Sequence, residues 1–218
     1  MATSEPPAVP SSVALPALDR PRRKVHEGFY LRFGGGPSFL TLRGHGPSGS
    51  SASLTSDAQS GFLTIGGALV PGLVLAGTLQ GVGFKSEFKG GPLSNATVTS
   101  GGRTRSASHD AEGGFGMLAL LVDWYPKPTE GWHAGGMAGV GAFGLTNVVD
   151  ASNLGGVNFS GGVFGGYDWS LGRDWSLGLQ LTASGGTKTK LREDSGEHDT
   201  GYRLTPLSFG MQASVLYF

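Results

Sequence analysis

From residue 25 to the C-terminus, apolar side chains recur at every second position in short runs, the period of a strand whose two faces meet different surroundings. In Gly28-Phe29-Tyr30-Leu31-Arg32-Phe33, the side chains of Phe29, Leu31 and Phe33 oppose those of Tyr30, Arg32 and Gly34, and the pattern continues past Gly34-Gly35-Gly36 toward Leu42. A polar stretch, Gly44 to Ser60, reads as a connection. Two strands follow, Gly61 to Val70 and Gly72 to Phe84, joined at the turn signal Pro71-Gly72. After a polar connection from Lys85 to Glu112 comes Gly113 to Tyr125, with Leu118, Leu120, Val122 and Trp124 on one side. A short turn, Pro126 to Gly131, leads to Trp132 to Leu145. A connection over Thr146 to Gly156 precedes Val157 to Trp169, and a turn near Leu171-Gly172-Arg173-Asp174 enters a strand where Trp175, Leu177, Leu179 and Leu181 alternate with Ser176, Gly178, Gln180 and Thr182. A charged connection, Lys188 to Thr200, precedes the last strand, Gly201 to Phe218, in which Leu207, Phe209, Met211, Ala213, Val215 and Tyr217 share a face.

These are eight strands, and their connections alternate long and short. Long loops at one end and tight turns at the other describe an antiparallel up-and-down transmembrane β-barrel with short periplasmic turns and long extracellular loops. A soluble sandwich has no reason to sort its loops by end. The aromatics sort the same way. Trp124, Tyr125, Trp132, Trp169 and Trp175 lie beside short turns and Tyr217 closes the chain at the same end, where an interfacial aromatic girdle would sit.

Composition narrows the choice further. The chain holds 40 Gly and no Cys among 218 residues, with 15% charged residues and zero formal net charge. So much Gly opposes long helices; 38% hydrophobic content opposes disorder; and no strict Gly-X-Y period supports a collagen-like chain. There is no basic stripe for nucleic acid, no thiolate metal site, and no run of 18 apolar residues that would make a transmembrane helix. Residues 1–24, with five prolines and the basic end Arg20-Pro21-Arg22-Arg23-Lys24, read as a disordered tail, and residues 25–218 as the barrel. The start, Met1-Ala2-Thr3-Ser4-Glu5-Pro6-Pro7, has neither the basic nor the apolar region of an export signal. The barrel reading therefore expects a signal to have been removed.

From residue 25 onward the chain resembles the small eight-stranded outer-membrane barrels, the OmpA- and OmpX-type family in the broad sense. The likeness is carried by the opening Gly28 to Gly36, by the hairpin Gly166-Tyr167-Asp168-Trp169-Ser170-Leu171-Gly172-Arg173-Asp174-Trp175-Ser176-Leu177-Gly178, and by the terminal Phe218. The resemblance implies the outer membrane of a Gram-negative bacterium. It also implies outer-membrane lipid as surroundings, and Phe218 as a recognition signal for the insertion machinery. One departure stands out. The parity of Phe218 carries Leu216, Ser214, Gln212 and Gly210, a weak lipid face, whereas the parity ending at Tyr217 is apolar. Either a bulge shifts the register or Tyr217 is the lipid-facing anchor.

An eight-stranded interior is just wide enough for side chains to fill. The inward set includes Arg32, Thr64, Thr78, Gln80, Asp123, His133, Asp168, Ser176 and Gln180. Asp123 and His133 flank one short turn, and Arg32 has Asp123 and Asp168 as possible partners. Because buried charges must be paired, a polar network of Arg32, Asp123, His133, Asp168 and Gln180 is expected to close the lumen.

Catalytic chemistry finds little support. His45, His109 and His198 stand near Ser48, Ser108 and Ser195 in polar connections, without a motif. Acidic residues around His198 (Glu193, Asp194, Glu197, Asp199) read as a solvated cluster rather than a metal site. The runs Gly34-Gly35-Gly36 and Gly135-Gly136 are not phosphate loops and suit close strand packing. The expectation is a non-enzymatic barrel without cofactor or metal, structural or engaged in surface interaction, whose long loops contact another envelope or surface protein. A narrow pore and a lipid-modifying enzyme are the alternatives.

Overall fold

The computed structural model describes residues 28–45, 51–87, 97–100, 103–106, 110–149, 152–193 and 199–218. The tail expected over residues 1–24 lies outside them. The strands are β1 (Phe29–His45), β2 (Ser51–Val70), β3 (Leu73–Glu87), β4 (Thr97–Ser100), β5 (Arg103–Ser106), β6 (Asp110–Trp124), β7 (Trp132–Val149), β8 (Ser152–Ser170), β9 (Trp175–Gly186), β10 (Thr189–Glu193) and β11 (Asp199–Tyr217). β4 and β5 form a separate antiparallel pair. β9 and β10 are two parts of one stave, so the others make an antiparallel barrel of eight staves among the described residues.

Closure is direct. β11 pairs with β1 from Leu31↔Tyr217 to His45↔Arg203, which leaves neither strand as a free edge. At the short-turn end, Pro71-Gly72 reverses the chain with Gly72 at φ 83°. A side chain at Gly72 would also meet the Tyr125 carbonyl oxygen at 2.7 Å, so glycine is required there twice over. Gly72 in turn accepts a hydrogen bond from the Tyr125 N–H at 2.7 Å, tying neighbouring turns together.

Alternation dictates which face looks where. Leu63, Ile65, Leu79, Leu118, Leu120, Val122, Leu177, Leu179, Leu181, Phe209 and Met211 all point outward and are exposed. On β11 the outward apolar run extends from Leu207 to Tyr217. Ten strand rises of about 3.4 Å, tilted by about 42°, give a band about 25 Å tall, the height of a bilayer's apolar zone at a barrel wall. So much exposed apolar surface on a closed barrel identifies a transmembrane wall.

Four connections expected from the sequence are shorter than read. The stretch Gly44 to Ser60 becomes strand from Ser51 onward; β7 and β8 extend through most of Thr146 to Gly156; and β10 and β11 take up much of Lys188 to Thr200. Lys85 to Glu112, read as one polar connection, contributes the ends of β3 and β6 and the β4–β5 hairpin. The cause is physical: past the apolar band the outward face turns polar, so the apolar-out repeat that marks the wall ends while the backbone ladder continues.

Placing a charge in the mid-band should test the wall. Leu120→Arg is expected to destabilise the folded barrel in phospholipid vesicles by about 2–4 kcal/mol in urea titrations. The same change at exposed Thr129, in the turn after β6, should cost under about 0.5 kcal/mol.

Candidate functional site: the lumen network

Inward-facing residues of every barrel strand meet in layers. Nearest the short-turn end, Tyr30, Val74, Ala76, Leu121, Tyr125, Phe164 and Leu216 pack together, with Phe218 against them. The Phe218 ring stands edge-on to Tyr30 at 5.4 Å and to Tyr125 at 6.3 Å. Tyr217 points the other way, against Phe29 and Trp175 on the outer wall. Strict alternation through the last strand, without a bulge between Leu207 and Tyr217, makes Tyr217 the outward residue of the two.

Above this plug lies the charged group. Arg32 is 2% exposed and Asp123 fully buried. The guanidinium donates through Nη2 to Asp168, and through Nη1 to Gln180 Oε1 at 3.3 Å and to Asp123 Oδ2 at 3.5 Å. Tyr30 donates to Asp123 at 3.0 Å and Tyr125 to Asp168 at 2.8 Å. His133 Nδ1 lies 3.0 Å from Asp123 Oδ1, and its Nε2 lies 3.3 Å from Arg32 Nη2. A neutral imidazole protonated at Nδ1 satisfies both contacts, donating to the carboxylate and accepting from the guanidinium. One guanidinium then faces two carboxylates, and the two phenol hydroxyls supply the donors that a second cation would otherwise provide.

Glycines make the space. A Cβ at Gly178 would collide with the Asp168 carboxylate and the Ser214 hydroxyl, and one at Gly166 would sit 2.8 Å from His133 Nε2. Side chains at either position would push the charged group apart.

The network continues across the lumen. Gln180 Nε2 donates to Gln212 Oε1 at 2.9 Å, Gln212 Nε2 donates to Ser60 Oγ at 2.9 Å, and Ser60 donates to the Gly36 carbonyl at 3.1 Å. Thr64 and Thr78 bridge β2 and β3 at 2.8 Å. A void of about 20 Å³ beside Arg32, Gln80 and Gln180 is large enough for about one water. Arg32 Nε and Gln80 Oε1 have no partner in the described structure.

Toward the long-hairpin end the interior turns apolar. Leu40, Leu42, Val82, Phe84, Phe115, Met117, Phe143, Leu145 and Leu204 form one buried cluster. This layer was absent from the polar lumen expected from the sequence.

Arg32, Asp123, His133, Asp168 and Gln180 thus sit in one connected group. Tyr30, Tyr125, Gln212 and Ser60 belong to it as well. Their signal was parity: Tyr30 shares a face with Arg32, Tyr125 with Asp123, and Gln212 with Leu216. One assignment is corrected. Tyr125, grouped with the girdle, is 1% exposed and faces the lumen, because strands alternate and its neighbour Trp124 faces out. Trp124, Trp132, Trp169 and Trp175 lie on the outer wall, and Tyr167 packs between Trp132 at 5.0 Å and Trp169 at 5.1 Å. His109 and His198, with their neighbouring serines, lie outside the described residues.

No protein-family model and no curated protein matches the sequence. Solved structures resemble the chain at low identity and with TM-scores below 0.5. The outer membrane protein OprG from Pseudomonas aeruginosa is 10% identical, covers 88% of this chain and 97% of its own, and has a TM-score of 0.48. Neisserial surface protein A is 11% identical over 87% of this chain and 96% of its own, with a TM-score of 0.47. The outer membrane protease OmpT of Escherichia coli is 11% identical over 88% and 97%, with a TM-score of 0.46. The barrel itself is established by the pairing and exposure described above.

Removing one partner from the charged group should be costly. Arg32→Met leaves two carboxylates facing each other in a buried site and is expected to lower unfolding free energy by about 3–5 kcal/mol. Adding Asp123→Asn and Asp168→Asn to Arg32→Met should recover much of that loss, measured by urea titration in vesicles.

Proposed function

We propose that this integral outer-membrane β-barrel is a closed scaffold, not a conduit, and that it presents its long-hairpin end to a partner at the cell surface. The observation that carries this reading is the stack of layers across the lumen. The aromatic plug, the Arg32 group, the Gln180–Gln212–Ser60 chain and the apolar cluster each draw on strands from several sides of the barrel. An ion moving along the axis would have to strip its hydration beside an apolar layer and break buried charge pairs. The strands that run on past the apolar band support a role in contact, since rigid hairpins hold their tips in place at little entropic cost.

Insertion through the last strand, with Phe218 as the signal, belongs to the same reading. The insertion machinery would meet that residue before it turns in against Tyr30 and Tyr125.

Planar-bilayer recording of the refolded, full-length chain tests the closed lumen. The expected trace stays at baseline at voltages that open a porin control. Stable, single-size steps at wild type would contradict it. For the hairpin end, replacing residues 88–109 by a short Gly-Ser link should abolish capture of a surface partner while leaving the barrel heat-modifiable on a gel.

A further inference from the structure

The outer wall is interrupted at one place. β9 pairs with β11 up to Gly185↔Leu207, and β10 resumes the ladder at Thr189↔Leu204. Between those rungs, Gly186, Thr187 and Lys188 face only Thr205 and Pro206, so the seventh stave carries one extra residue, a bulge. Pro206 explains the location, because it has no N–H to donate to the ladder. The ladder to β8 breaks at the same height, from Ser160↔Gly186 to Gly155↔Arg192.

The break leaves a groove of about 390 Å³ on the lipid side of the barrel. Its walls are Phe159 and Leu207, both exposed, and its floor is low because the outward positions Gly161 and Gly185 lack side chains. Arg43 stands at its edge, paired across β1 and β11 with Thr205. Two further cations flank it on the same outer face: Lys188 in the bulge, and Arg203 on β11, one outward position beyond Thr205. All three are exposed. Among the described residues, no salt bridge engages Arg43, Lys188 or Arg203.

We propose that this groove is a binding site for a phosphate-bearing, acylated lipid of the surrounding leaflet. Acyl chain lies along the glycine floor between Phe159 and Leu207, and the phosphate is held by Arg43 with Lys188 and Arg203. The position is what such a ligand needs. The apolar part of the groove belongs to the band ending at Leu207, and the cations begin immediately beyond it, where headgroup phosphates lie. Unpaired cations at that height attract an anionic headgroup, and an arginine fork fits two phosphate oxygens at once. A neutral lipid fits the groove but leaves the charges unanswered.

The site is on the barrel wall and uses neither the lumen nor the hairpin tips, so its failure would leave the proposed function standing, and the reverse.

Native mass spectrometry of the full-length barrel in detergent, with lipid added, tests it. The probes are lipid A, which carries two phosphates, against phosphatidylcholine and inorganic phosphate at equal concentration. Retained lipid A adducts are expected, with neither comparator retained. Each of Arg43→Gln, Lys188→Gln and Arg203→Gln should weaken retention about fivefold, and the triple variant should abolish it. Thr187→Trp, which fills the groove and spares the charges, should also abolish it. Arg173→Gln, an exposed cation at the opposite end, should change nothing. Folding of each variant is checked by heat-modifiability. Equal retention of phosphatidylcholine, or wild-type retention by the triple variant or by Thr187→Trp, would overturn the site. Retention of inorganic phosphate alone would overturn the lipid assignment.

Discussion

Lipid offers the backbone no hydrogen-bond partner, and every other feature of this chain is arranged around that fact. A sheet in hydrocarbon with an open edge leaves a row of peptide groups unsatisfied at several kcal/mol each. The register from Leu31↔Tyr217 to His45↔Arg203 removes that edge. Once the sheet is closed, period-two alternation has only two destinations, lipid and lumen, and the lumen of eight staves is too narrow to stay empty. The residues inside must then satisfy one another.

That second requirement explains the chemistry of the interior. A buried guanidinium is tolerable only with partners for its charge, and the two Nη groups of Arg32 meet Asp168, Asp123, Gln180 and His133. The two phenols are as much a part of the arrangement as the charges, because one cation cannot neutralise two carboxylates. Inward glycines at 166 and 178 are the space in which this group fits. The high glycine content of the chain thus has a local cause at these positions. Large side chains on one stave occupy the room that glycine leaves on another.

Much of this was legible in the sequence. The alternation Trp175, Leu177, Leu179, Leu181 against Ser176, Gly178, Gln180, Thr182 assigns both faces of a strand without ambiguity, and long and short connections in turn give the strand count. Three things were harder to read. Ser51 to Ser60 pairs as strand, but its outward side chains (Thr55, Asp57, Gln59) are polar and its inward ones mix Ser56 and Ser60 with Ala58, so little hydrophobic contrast marks it. Tyr125 was grouped by its neighbours in sequence, although parity with Asp123 sends it inward. The apolar layer of Leu40, Leu42, Phe84, Phe115 and Phe143 arises because these residues keep the inward parity of Arg32, Gln80 and Asp123, while Phe39 and Val140 beside them stay outward. Two adjacent apolar residues such as Phe39-Leu40 are what a wall greasy on both faces looks like, and alternation alone does not say which of them meets lipid.

The four tryptophans, the full complement of the chain, all lie on the outer wall beside short turns, which makes their fluorescence the most direct probe of the membrane placement. The unmodified barrel would be reconstituted into vesicles of lipid brominated at defined positions along the acyl chain. Strong quenching by bromines near the headgroup, falling as they move toward the chain ends, is the outcome a lipid-facing girdle produces. Emission indifferent to bromine at every depth, with free access to aqueous iodide, would mean that these side chains do not face lipid and that the barrel does not cross a bilayer.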